Sequence, residues 1–324
     1  MKAIRCHAFG PVEGISLDDI PVPVAGPNQV VVTVKAVGVN FPDALTVEGK
    51  YQAKPGLPFT PGCEFAGIVS VSGPGVTHVK VGDPVIGYAP SGAFAEEVLA
   101  EAASVVLLPA DADLVLVSVL QVAYGTALHA LRDRARIVAG ETLLVLGAAG
   151  GVGLAAVRLG RLLGATVIAA ASTEAKLEVC RAQGAAHTIN YDAEDLRERV
   201  RALTSGQGVD VVFDPVGGSY AAPALRCLAW SGRYLVVGFA AGDIPRVPLN
   251  LPLLKGYSIL GVFWGEFARR DPSANAANTR LLLSWVTAGE LKPPVSARYP
   301  LARTGDALAA LTRREVTGKV VIVP

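Results

Sequence analysis

The sequence predicts an α/β protein in which a β-rich domain is interrupted by a doubly wound, parallel-sheet unit. Three observations lead there. Short segments dense in β-branched residues, separated by Pro/Gly turns, fill the stretch up to about residue 120. From about 121 to 262, nearly continuous apolar strands alternate with helices. From 263 to 324 the pattern returns to mixed structure and ends in one more strand.

In the first stretch, Gln29–Gly38 (QVVVTVKAVG) puts Val30, Val32 and Val34 on one face. Phe65–Gly73 and Val85–Ala89 are further short strands. AGPN at 25–28, KPGLPFTPG at 54–62, SGPG at 72–75 and VGDP at 81–84 supply the turns of a small barrel or sandwich. Leu114–Leu131 is an uncharged run of 18 residues, nominally long enough for a membrane span. It contains Ser118, Gln121, Tyr124, Gly125, Thr126 and His129, so a buried helix, a turn and a second helix are expected instead.

The alternating stretch begins with strand Thr142 onward, a glycine turn and a helix from Leu154 to Gly164. Strand 165–172 and helix 173–184 follow, the latter closed by Gly184. Strand 187–190, helix 193–204, strand 209–217, a helix through Leu225, and strands 233–239 and 258–263 complete it. The return segment holds an amphipathic helix near 279–289, a short helix near 306–313 and strand 318–324. Arg269 and Arg270 read as a loop, and Arg197–Arg201 as a solvated helix face.

Composition excludes several classes. The chain is 51% hydrophobic, which excludes wholesale disorder, and 29 Lys+Arg against 28 Asp+Glu leave a net charge of +1, without the basic excess of a general nucleic-acid binder. Cys6, Cys63, Cys180 and Cys227 show no CxxC spacing and no disulfide framework. With no apolar signal-peptide core near the N-terminus, a reduced, cytoplasmic setting is expected, with no membrane partner. His7, His78, His129 and His187 have no catalytic partner at a recognisable spacing, and His129 reads as structural.

The strongest motif is AAGGVG at 148–153, placed after a strand and opening a helix. Gly150, Gly151 and Gly153 fill the last positions of a dinucleotide fingerprint, with Val152 among them, while Ala148 stands where the first glycine is usual. Small residues let the backbone approach a pyrophosphate, and the helix N-terminus offers unpaired N–H groups. The second strand ends in Ala171-Ser172-Thr173, without the carboxylate that would bind an NAD ribose. Lys176, one helical turn on, and Tyr191, after the third strand, are suited to a 2′-phosphate, so the expected cofactor is NADPH.

These stretches together resemble the zinc-independent quinone oxidoreductases, the zeta-crystallin-like branch of the medium-chain dehydrogenase/reductases. The likeness is carried by GVNFPDALTVEGKYQAKPGLPFTPGCEFAGIV (38–69), VAYGTALHAL (122–131), GAAGGVGLAAVRLGRLLGATVIAAAS (147–172), GAAHTINY (184–191), VDVVFDPVGG (209–218) and TGKVVIVP (317–324). It implies a GroES-like catalytic domain (1–121 and 265–324) split around an inserted Rossmann domain (122–264). It also implies an active site between the domains and a homodimer joined through the Rossmann sheet edges.

Zinc-dependent relatives carry a Cys where this chain has Asn40, a His where it has Cys63, and a third ligand near Val122. An amide, a thiol and an aliphatic do not make a catalytic zinc site, so no metal is expected. Without a Lewis acid, reduction of a quinone or an activated C=C fits better than alcohol oxidation. Asn40, at the old metal position, and Tyr51, matching the proton donor of related enoyl-thioester reductases, are the candidate catalytic and substrate-binding donors. Asp43 is placed to orient Asn40 or to accept from the nicotinamide ribose. The resemblance further implies a nicotinamide pocket from Thr126, Gly238, Phe239, Val262, Phe263 and Trp264, with Phe239 and Trp264 as flat substrate walls. It places Arg314, or its neighbour Arg313, at the 2′-phosphate. The expected activity is NADPH-dependent reduction of quinones or similar α,β-unsaturated carbonyls. An enoyl-thioester (CoA or acyl-carrier) reductase and a non-catalytic, crystallin- or RNA-binding-like NADPH-binding protein are the alternatives.

Overall fold

The β-branched run near residue 30 forms the longest strand, Gln29–Val39, and an antiparallel sheet grows from it. A computed structural model describes residues 1–324. They divide into two units, Met1–Gly125 with Gly265–Pro324, and Thr126–Trp264. The sequence expectation had the joins after 121 and 264.

In the first unit the seven-stranded sheet runs Val295–Pro300, Lys319–Val323, Gln29–Val39, Glu64–Ser72, Pro84–Tyr88 and Val105–Leu107, with Glu97–Glu101 also pairing Gln29–Val39. Only the first two of these strands pair in parallel; the rest are antiparallel. Irregularities between Val31/Val32 and Val34/Ala36 bend the central pair, which is how so short a sheet curls around a core. That core joins Val32, Val34 and Phe65 to Phe94, Leu308 and Ile322. Val320, Val321 and Ile322 are all fully buried, so the last strand is covered on both faces.

The second unit is a six-stranded, all-parallel sheet. Its order is His187–Asn190, Thr166–Ala171, Thr142–Val145, Val209–Asp214, Leu228–Val236 and Ser258–Gly261. The order reverses beside Thr142–Val145, the first strand, and ligands of such sheets bind at that switch point.

Two elements differ from expectation. Phe41–Val47 is a helix, where the sequence expectation named no element; at the second helical position the missing N–H of Pro42 costs nothing. As expected, a short helix, Leu114–Val117, ends in a turn at 118–119 and a second helical stretch, Leu120–Arg134, follows, with π-type turns at Leu120–Tyr124 and His129–Arg134. Leu120, Tyr124, Leu128 and Leu131 are all fully buried, and that packing holds Gly125 in the helix. Arg269 and Arg270 lie on helix Trp264–Arg270, where both pair with Glu266, instead of in a loop. His129 is buried against Asp133 at 3.0 Å, a structural contact. No helix is long and apolar enough to cross a membrane.

Candidate active site

The first unit buries an ion pair. Lys319 is 3% exposed and Glu64 is not exposed at all. The Lys319 ammonium donates to Val39 O at 2.9 Å, Asn40 Oδ1 at 2.5 Å and Glu64 Oε1 at 3.0 Å. Glu64 Oε1 also accepts from Asn40 Nδ2 at 2.7 Å, and Glu64 Oε2 accepts from the Val122 N–H at 2.9 Å. The second Asn40 amide hydrogen goes to Gly38 O at 3.2 Å. A side chain on Gly38 would collide with the Glu64 carboxylate, so glycine is required there. The amide expected to serve a substrate is therefore fully engaged inside the protein: both its hydrogens and its oxygen have partners. Sequence reasoning singled out neither Lys319 nor Glu64 as functional.

Asn40 caps helix Phe41–Val47. Its backbone N–H donates to Asp43 Oδ2 at 2.8 Å, and the Asp43 N–H returns a bond to Asn40 O. At the far end, the N–H groups of Lys50 and Tyr51 both donate to Leu45 O, which brings Tyr51 back against the helix. Burial pushes the Asp43 carboxyl up to about 7, against the opposing pull of the Asn40 N–H and the Lys319 charge. Cys63, hydrogen-bonded to Asp43, is held well above the usual thiol range by burial and by the Asp43 and Glu64 charges. Burial, with Cys63 and Asp43 nearby, also raises the half-buried Tyr51 phenol. Tyr88, the strand partner of Glu64, is raised by burial and by Cys63, Tyr51 and Asp43, and so belongs to the same cluster. It was missed because a tyrosine in a strand carries no sequence signal beyond β-propensity. No three His, Cys, Asp or Glu side chains lie together as a metal-binding group.

In the second unit the glycine motif makes the strand–helix turn. Gly147 takes φ +55°, so the left-handed residue stands one position ahead of Ala148, and glycine is needed there because Val216 also crowds the Cβ position. A side chain on Gly153 would strike Gly147 O and the Ala148 backbone. Its absence lets helix Gly151–Leu162 start hard against the strand, with Gly150 as N-cap, exposed, and Gly151 and Val152 half-exposed in its first turn. That cradle fits a pyrophosphate. At the end of the next strand, Lys176 Nζ lies 3.4 Å from Ser172 Oγ, on helix Glu174–Ala182 capped by Thr173. Tyr191 follows the third strand and packs on Tyr220, with ring centroids 4.6 Å apart. A hydroxyl and a phenol thus follow the ends of adjacent strands, with the Lys176 ammonium on the next helix and no carboxylate at Ser172.

The remaining candidates are placed as follows. Thr126 opens this unit, half-exposed on the helical run. Gly238 follows strand Leu228–Val236, and its N–H approaches Asp214 O at 3.3 Å. Phe239 is 36% exposed and Phe263 50%, while Val262 and Trp264 are buried. Trp264 starts a helix and its side chain is only 4% exposed, so packing rather than an open substrate wall describes it. Arg314 belongs to the first unit, exposed at φ +59° after helix Thr304–Thr312, and Arg313 pairs with Glu315.

Comparison with known proteins agrees with this architecture. Residues 26–110 match the alcohol dehydrogenase GroES-like domain, and 151–279 the zinc-binding dehydrogenase family. The quinone oxidoreductase-like protein 2 of Rattus norvegicus is 40% identical over 93% of this chain and 86% of its own length. A mycocerosic acid synthase-like polyketide synthase of Mycobacterium tuberculosis is 35% identical over 96% of this chain, which spans 15% of that protein. The crystal structure of Escherichia coli quinone oxidoreductase complexed with NADPH superposes with a TM-score of 0.93 at 29% identity, over all of both chains. A Pseudomonas syringae quinone oxidoreductase does so with a TM-score of 0.94 at 31% identity, over all of this chain and 99% of that one. On fold, family match and relatives together, the chain belongs to the zinc-independent quinone oxidoreductase branch of the medium-chain dehydrogenase/reductase superfamily.

Proposed function

We propose that the protein reduces quinones or similar α,β-unsaturated carbonyls with NADPH and without zinc. The observation that carries this reading is the half-buried Tyr51 phenol beside Asp43 and Cys63. Because its environment disfavours the phenolate, Tyr51 stays protonated at neutral pH and can donate to an oxygen that becomes negative during reduction. NADPH supplies the hydride when bound. Gly150, Gly151, Val152 and Gly153 hold its pyrophosphate, Lys176, Ser172 and Tyr191 its 2′-phosphate, and Thr126, Gly238, Phe239, Val262 and Phe263 its nicotinamide end. Asn40 and Asp43 hold the helix against which Tyr51 turns back, and we assign them this supporting role rather than direct contact with substrate. Arg314 is retained as a candidate phosphate contact.

NADPH oxidation in EDTA, measured against a quinone, against crotonyl-CoA and without substrate, tests the assignment. Turnover with the quinone is expected, with Tyr51→Phe lowering kcat by ~10²–10³-fold and leaving the NADPH dissociation constant unchanged. Faster turnover of crotonyl-CoA would favour the enoyl-thioester reading, which the polyketide synthase likeness supports. NADPH binding without turnover of either substrate would leave a binding protein. A homodimer is also proposed. Ser258–Gly261 is an edge strand, and Leu249, Leu253 and Leu254, just before it, are 69–82% exposed.

A further inference from the structure

Lys319 takes no part in the chemistry proposed above, yet its surroundings are complete. A buried ammonium has three donors, and here each has an acceptor: Val39 O, Asn40 Oδ1 and Glu64 Oε1. Glu64 in turn takes the Asn40 amide and the Val122 N–H. The closed network ties together the end of strand Gln29–Val39, the start of strand Glu64–Ser72, the helical turn at Val122 and the start of strand Lys319–Val323. A buried ion pair is no better for stability than well-packed apolar residues of the same volume. What it adds is direction, because every bond in it has a required angle.

The side chain the network grips is that of Asn40. The backbone of the same residue starts helix Phe41–Val47 through its exchange with Asp43. Seven helical residues span about 10 Å, and at the far end Leu45 O receives the N–H groups of Lys50 and Tyr51. A single short hydrogen-bonded segment therefore runs from the Lys319 contact to the backbone of Tyr51. We propose that Lys319, with Glu64, is a positioning residue for Tyr51: the ion pair clamps the helix cap and so sets where the phenol stands. This rests on the reading of Tyr51 as the donor.

The test is a kinetic cycle. Lys319→Met combined with Glu64→Gln removes both charges and keeps the volume, so no buried charge is left alone. The pair of substitutions is made in the wild-type and Tyr51→Phe backgrounds, and kcat with a quinone and the NADPH dissociation constant are measured. In the wild-type background kcat is expected to fall ~10–100-fold, with NADPH binding within about twofold, since the coenzyme turn lies in the other unit. In the Tyr51→Phe background the same pair is expected to cost less than about twofold, because there is no phenol left to misplace. Equal losses in both backgrounds would overturn the proposal and leave a packing role. If the double variant does not fold, Asn40→Ala replaces it in the cycle, since it cuts the contact to the cap while leaving Lys319 and Glu64 paired.

If Tyr51→Phe alone leaves kcat unchanged, the donor reading has failed, and the clamp is judged without activity. In protein labelled with 3-fluorotyrosine, the Tyr51 resonance, assigned by its loss in Tyr51→Phe, is expected to shift or broaden in Lys319→Met/Glu64→Gln. An unchanged resonance would overturn the clamp itself.

Discussion

The two candidate sites, one in each unit, are built by opposite means. In the Thr126–Trp264 unit, the turn at 147–153 is contiguous and works by leaving side chains out, so that backbone N–H groups are exposed at a helix start. In the other unit, Asn40, Glu64, Val122 and Lys319 come from distant parts of the chain, and the site works by burying charge and amide groups that satisfy one another. The first design tolerates change around it and fails when bulk is added. The second fails when any one partner is removed, because the others remain buried and unpaired.

Lys319→Met alone tests that contrast most strongly. It strands the Glu64 carboxylate, with a remaining hydrogen bond from Asn40 and one from Val122, and is expected to cost about 3–5 kcal/mol of stability. Urea unfolding measures it, and a cost below about 1 kcal/mol would show that the pair is not the keystone of this unit. Asp43→Asn tests the same cluster through pH. Below about pH 4 the carboxyl is protonated in both folded and unfolded chains. Between about pH 4 and 7 the unfolded chain ionises while the folded one keeps its proton, so Asp43 lowers stability as pH rises and its effect levels off above about 7. Asp43→Asn is therefore expected to gain up to a few kcal/mol relative to wild type on going from pH 4.5 to pH 8. A difference between the two proteins that is flat with pH would mean that Asp43 titrates normally.

The smallest effect is expected in the coenzyme half. Lys176→Ala removes one partly solvated charge and should weaken NADPH binding ~10–100-fold, or roughly 1.5–3 kcal/mol. NADH binding, with no phosphate to lose, should hardly change. Equal losses for both coenzymes would assign Lys176 to the fold and remove the main support for a 2′-phosphate site.

The same contrast explains what the sequence revealed. The glycine turn was legible because it is local: strand, small residues and helix start follow one another within the span 142–162. The parallel unit was legible for the same reason, since its strands and helices alternate in order. Asn40, Asp43 and Tyr51 were put forward by resemblance, but the state of the Asn40 amide was not legible, because its partners are 24 and 279 residues away. Lys319 gave a faint signal in retrospect. It is a charged residue opening a strand whose next three residues are all buried, and a cation in that position needs an internal partner. Nothing in one dimension says which carboxylate that partner is. The helix at 41–47 was hidden by Pro42, whose meaning depends on whether it falls inside a helix or at its start.

The pairing of strand Lys319–Val323 with Gln29–Val39 also bears on how the protein is made. Thr126–Trp264 is one uninterrupted segment whose contacts are available as soon as it has been synthesised. The unit that carries Tyr51 has no such option. Its central strand has Glu64–Ser72 and Glu97–Glu101 beside it early, but its remaining neighbour, Lys319–Val323, comes late, and Glu64 and Asn40 lack their ammonium until position 319 has been added. On a ribosome the parallel sheet can therefore mature first, and the other unit is completed only once position 319 has been added. A chain released a few residues before position 319 would hold an intact glycine turn and an Asn40–Glu64 pair still without its ammonium.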